Sequence, residues 1–95
     1  MKHKMTAVIA SRQIETTDGK KNIIHVEIGK PENKKFGKGV CSYCTFQITT
    51  SEGVQVYPAY GADSIQALYC ALRLAGVIVA RLANSDPVTL GFPDI

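Results

Sequence analysis

Histidine occurs twice in this 95-residue chain, cysteine three times, and aromatic residues make up only 7% of it. Each scarcity removes a class of function. Three cysteines are an odd number, so they do not make the disulfide framework of a small secreted domain, and they fit a reducing compartment. Structural zinc needs four ligands on turn-like knuckles, and Cys41-Ser42-Tyr43-Cys44 has no second Cys pair or His-x-x-x-His to complete it. A redox pair would sit at a helix start. On a strand, residues three apart point to opposite faces, so Cys44 reads as a small buried hydrophobe. His3 and His25 are the only imidazole bases for a nucleophilic cysteine, and no oxyanion hole or third orienting group accompanies them. Gly37-Lys38-Gly39 lacks the spacing of a phosphate-binding loop. No catalytic residue, metal ligand or cofactor is therefore expected, and the chain is read as a non-enzyme. Apolar runs are also interrupted: residues 67–83 contain Arg73 and Arg81, so no membrane partner is expected. The first four residues are basic, but residues 7–10 are too short for a signal-peptide core, and the expected location is the cytoplasm.

What is present is the composition of an ordinary globular protein, 45% hydrophobic and 20% charged. A chain of this length holds one core, so residues 1–95 are expected to form a single α+β domain. Net charge is +3 and unevenly placed. Residues 1–40 carry nine Lys or Arg against four acids, and residues 41–95 two against four, giving +5 and −2.

Residues 6–14 (TAVIASRQI) read as a strand and Asp18-Gly19 as the hairpin turn after it. Residues 22–29 alternate, with Ile24, Val26 and Ile28 on one face and Ile23, His25 and Glu27 on the other. Residues 30–39 (KPENKKFGKG) hold a proline, two glycines and four lysines and read as a loop. Residues 40–50 (VCSYCTFQITT) are the longest strand candidate, with Cys41, Tyr43 and Gln47 facing away from Cys44, Phe46 and Ile48. Ser51-Glu52-Gly53 closes a hairpin into residues 54–59, where Val54 and Val56 are expected inside and Gln55 and Tyr57 outside. The expected fold is a two-layer α+β arrangement, a four-stranded antiparallel meander (β-β-β-β-α) packed on one long C-terminal helix.

That helix is the most legible element. Asp63 is placed to cap the first free amides, and Gln66, three residues on, to reach back. Ile65, Leu68, Tyr69, Leu72, Ala75, Gly76, Val79 and Ala83 form an apolar stripe at the helical period, the expected core side. The opposite side, Ala67, Cys70, Leu74, Val77 and Ile78, is apolar as well. A helix apolar all round is covered on more than one side, by the C-terminal tail with Leu90 and Phe92 or by a second copy.

The order Val26-Glu27-Ile28-Gly29-Lys30-Pro31, Cys44-Thr45-Phe46-Gln47-Ile48, Tyr60-Gly61-Ala62-Asp63-Ser64-Ile65-Gln66-Ala67-Leu68 and Leu90-Gly91-Phe92-Pro93 resembles a family of small bacterial proteins of unknown function. The resemblance runs from about residue 23 to the C-terminus, and its most specific element is the G-x-D-S-x-Q-A-L helix start. Family members carry Trp two positions before the matching Cys and Pro just after it, where this chain has Ser42 and Thr45. The resemblance supports the fold and implies no activity. The leading functional expectation is a non-enzymatic protein-interaction or accessory module, immunity-like in kind, that is a homodimer or binds another protein. Its candidate surfaces are the sheet's outer face (Ile23, His25, Tyr43, Gln47, Tyr57) and the helix's second face (Ala67, Cys70, Leu74, Val77, Ile78). The competing expectation is a nucleic-acid or anionic-ligand binding domain using Lys20, Lys21, Lys30, Lys34, Lys35 and Lys38.

Overall fold

The computed structural model describes residues 3–15 and 23–83. Five strands precede one helix: β1 (Val8–Glu15), β2 (Ile23–Gly29), β3 (Glu32–Phe36), β4 (Gly39–Thr50), β5 (Gly53–Gly61) and α1 (Ser64–Ala83). All pairings are antiparallel. β4 is the spine. It pairs along one edge with β5 and along the other with β2 and then β3.

The expected four-stranded meander is corrected to five strands, because the lysine-rich segment read as a loop contains β3. Ile28 lies opposite Phe46, and Glu32 opposite Tyr43, so four steps on one chain span three on the other. β2 and β3 are thus one strand interrupted by a bulge around Gly29-Lys30-Pro31, where one extra residue is accommodated. Phe36 pairs with Gly39 across a two-residue turn, and Gly37 takes a φ of 57° there. A glycine at the first central position is what a primed hairpin turn needs.

The helix covers one face of β2, β4 and β5. Ile24, Val26, Ile28, Cys44, Phe46, Ile48 and Ala59 meet Ala67, Ala71, Ala75 and Val79 in one buried cluster. Phe46, Val26, Val79 and Cys44 are the largest side chains wholly removed from solvent. Each of the first three contributes roughly 1.5–3 kcal/mol by its burial. By length and composition residues 64–82 would also suit a membrane span. Here one side of that helix is packed on the sheet and buried in the core.

Two facial assignments are corrected. Tyr57 pairs with Phe46 and stacks on it, ring centroids 5.2 Å apart, so it faces the helix, while Val54 and Val56 face outward. The core side of the helix is also rotated from the expected stripe, of which Leu68, Leu72, Ala75, Gly76 and Val79 do meet the core. Ala67 is fully buried, Cys70 and Ile78 are half-buried against the core, and Ile65 and Tyr69 are exposed. The cause is a close approach. A Cβ on Gly61 would lie 2.5 Å from the Ala67 amide nitrogen, so only the alanine side of α1 fits this near to the sheet. Leu74 and Val77, on the helix's second face, are exposed among the described residues, and the tail expected as one of their covers lies outside those residues.

Candidate functional site

The sheet face opposite the helix carries no second layer among the described residues. Strand register arranges it in rows. His25, Thr49 and Val54 form one row, and Glu27, Gln47 and Val56 the next. Thr45 with Pro58, then Glu32, Tyr43 and Tyr60, then Lys34 with Cys41 follow towards the β3 end. Ile23, His25, Tyr43 and Gln47 therefore share this face as read from the sequence, and Tyr57 does not.

A polar knot divides the face in two. The Thr6 amide donates to Thr45 Oγ1 at 3.2 Å, the Thr6 hydroxyl donates to the Lys30 carbonyl at 2.8 Å, and the two threonine oxygens lie 3.3 Å apart. The Lys30 amide donates to the Ala7 carbonyl at 2.7 Å. These bonds lay the N-terminal arm over the β2–β3 bulge. They leave Gly29 no room for a side chain, since a Cβ there would collide with Thr6 Oγ1 and sit 2.7 Å from Thr45 Oγ1. From below, the Cys44 thiol donates to the Gly29 carbonyl at 3.2 Å. Burial pushes that thiol's pKa up, so Cys44 is a poor source of thiolate.

On one side of the knot, Ile23 and Val54 are each at least half exposed, Val56 is half-buried, and Gln47 donates to Glu27 at 3.0 Å. On the other side lies a cleft of about 470 Å³ lined by His3, Lys4, Asn33, Lys34, Tyr43, Thr45, Pro58 and Tyr60. Tyr43 and Tyr60 form its floor as a direct cross-strand pair. The Tyr43 hydroxyl donates to Glu32 at 3.0 Å, and this bond, with Glu32's charge, raises the tyrosine's pKa. The phenol stays neutral. His3 and Lys4 come from the arm that the threonine knot anchors. From sequence, His3 is weighed only as a base for a cysteine and Lys4 is not singled out, because nothing local says that the arm folds back over β4.

A smaller concavity of about 260 Å³ lies over the β4–β5 turn, bounded by Leu82, Tyr57 and Gln55, with Glu52 its only ionisable side chain apart from Tyr57.

The other candidate residues do not assemble. Cys41 and Cys44 project from opposite faces. His25 does share the outer face with Cys41, but it pairs with Thr49, eight residues along β4, about 26 Å away at the rise of a strand. No group of three or more His, Cys, Asp or Glu able to hold a metal occurs among the described residues. Lys34 reaches the cleft, whereas Lys35 pairs on the helix side of the hairpin and Lys38 lies in its turn. Lys20, Lys21 and the tail bearing Leu90 and Phe92 lie outside the described residues.

Fold and face together define a two-layer α+β scaffold whose second sheet face is open among the described residues. By family the chain belongs to the one described as Domain of unknown function (DUF6968), matched over residues 10–94. No curated protein and no solved structure matches it.

Proposed function

We propose that this protein is a non-enzymatic, cytoplasmic interaction module that pairs with a second copy of itself through the Ile23/Val54 half of the open sheet face. The observation that carries this reading is a sheet face with no second layer among the described residues and with Ile23 and Val54 exposed on it, on a sheet whose edge strands are blunted against edge pairing. β1 has a bulge between Val8 and Ala10, and β5 carries Pro58, which lacks an amide proton. β3, the third strand with a free edge, carries Lys34 and Lys35, so strand addition is disfavoured along each edge and docking falls to a face.

Self-pairing suits its chemistry. Ile23, Val54 and Val56, with Thr49 between the strands that bear them, present the same surface on both partners, and a two-fold arrangement makes such a surface self-complementary. The cationic cleft residues lie at one end, so a two-fold axis through the patch sends the two sets of positive charge to opposite ends. Four strands at about 4.8 Å and a contact roughly 20 Å long give a small footprint. That places the dimer at the weak, reversible end of the scale. Three free cysteines support a reducing location.

Light scattering over roughly 1 to 500 μM protein tests this. A mass rising from one chain to two is expected, and Ile23→Lys with Val54→Lys should hold the protein monomeric with an unchanged circular dichroism spectrum. A wild-type monomer throughout, or a dimer lost only in Leu74→Asp with Val77→Asp, would overturn it. The latter result would move the contact to the exposed flank of α1.

A further inference from the structure

We infer that the cleft at the Tyr43/Tyr60 end of the open face is a binding site for a free nucleoside phosphate. Its base would lie against the two phenol rings and its phosphate among Lys4, Lys34 and His3. This site stands apart from the self-pairing surface, since the threonine knot separates them.

Three features of the cleft converge on that ligand. Its volume of about 470 Å³ falls within the roughly 300–1,000 Å³ of small-molecule sites. Its floor is a directly opposed tyrosine pair on adjacent strands, with Tyr60 half exposed and Pro58 beside it. Such a surface takes a flat ring through its π face, and base stacking of this kind contributes about 1–3 kcal/mol per base. Its rim holds two ammonium groups and an imidazole from two separate segments, the arm and β3, which together suit a phosphate dianion.

Glu32 adds direction. Its Oε1 accepts the hydrogen bond of the Tyr43 hydroxyl, which fixes the phenol at the floor of the cleft.

The charge pattern favours a free nucleotide over a strand. Among the described residues the cleft holds Lys4 and Lys34, and the adjoining rows of the same face carry Glu27 and no Lys or Arg. A polynucleotide backbone would need a basic track leading away, and the described strands of this face show none.

The test is a nuclear magnetic resonance titration of the full chain with 5′-AMP, adenosine, inorganic phosphate and an eight-nucleotide single strand. Expected is saturable binding of 5′-AMP, shifting the Tyr43, Thr45 and Tyr60 amides. Adenosine and phosphate alone should each bind at least about tenfold more weakly. Tyr60→Ala should weaken 5′-AMP at least tenfold, with its other amide positions unchanged, and Tyr60→Phe should restore it. Lys4→Ala with Lys34→Ala should flatten the salt dependence. Binding of 5′-AMP no tighter than phosphate, indifference to Tyr60→Ala, or an oligonucleotide affinity a hundredfold above the mononucleotide would each overturn the proposal. The self-pairing variants Ile23→Lys and Val54→Lys should bind 5′-AMP as wild type does, so the two readings fail separately.

Discussion

Gly29 shows how one missing side chain shapes a surface. It lies where β2 gives way to β3, and the Thr6 and Thr45 hydroxyls occupy the space a Cβ would need. Thr6 Oγ1 can swing aside, but the Thr45 carbonyl, 3.0 Å from where a methyl carbon would sit, belongs to the central strand. Gly29→Ala should therefore lower stability by about 1–3 kcal/mol, seen as a lower urea midpoint with an unchanged slope. Thr45→Val keeps the volume and removes the acceptor for the Thr6 amide, at a cost of about 1–2 kcal/mol. A wild-type midpoint in both variants would show that the arm is not anchored by this knot. Thr45 also marks where a sequence stops being legible. Its place beside Cys44 is visible in the chain, whereas its bond to Thr6, 39 residues away, is not.

At the scale of the element, the helix start is the clearest sequence signal. Asp63 Oδ1 accepts the Gln66 amide at 2.8 Å, and Gln66 Oε1 accepts the Ala62 amide at 2.5 Å, one residue before the cap itself. Asp63→Ala should cost about 0.5–2 kcal/mol and Asp63→Asn much less, as measured by thermal or urea unfolding. Equal losses in both would mean that charge rather than the cap bond matters. Side-chain bulk is a poor guide to which side of α1 meets the sheet. α1 turns Ala67, Ala71 and Ala75 inward, since its N-terminal turn abuts Gly61. The phase of β5 escapes sequence reading for a related reason. Both of its faces are apolar, so alternation does not discriminate, and the stacking of Tyr57 on Phe46 does.

For the whole molecule the decisive feature is uneven cover. The helix lies on β2, β4 and β5, and the β3–β4 hairpin extends past it, leaving Val40 more than half exposed on the helix side of the sheet. The molecule is accordingly elongated, 51 × 26 × 20 Å. Burial controls local opening, so hydrogen exchange should be graded along one strand. Amides of Val26, Phe46 and Ile48 should exchange at least about 100-fold more slowly than those of Lys34, Lys35 and Val40. Uniform protection along β4 would mean that the hairpin is held by contacts other than its own ladder. The same unevenness leaves one sheet face open, which is the ground for both the self-pairing surface and the nucleotide cleft.

Local chemistry by itself determined the helix and its cap, the alternation of β2 and β4, the two-layer α+β plan and the separation of Cys41 from Cys44, because each depends on neighbours within a few residues. Tertiary structure decided the rest. A lysine-rich segment becomes a strand only when β4 supplies the partner for its amides. The rotation of α1, the phase of β5 and the meeting of His3 and Lys4 with Tyr43 and Tyr60 likewise depend on residues far apart in sequence. Periodicity describes one segment at a time, and these outcomes are set by which segment lies against which.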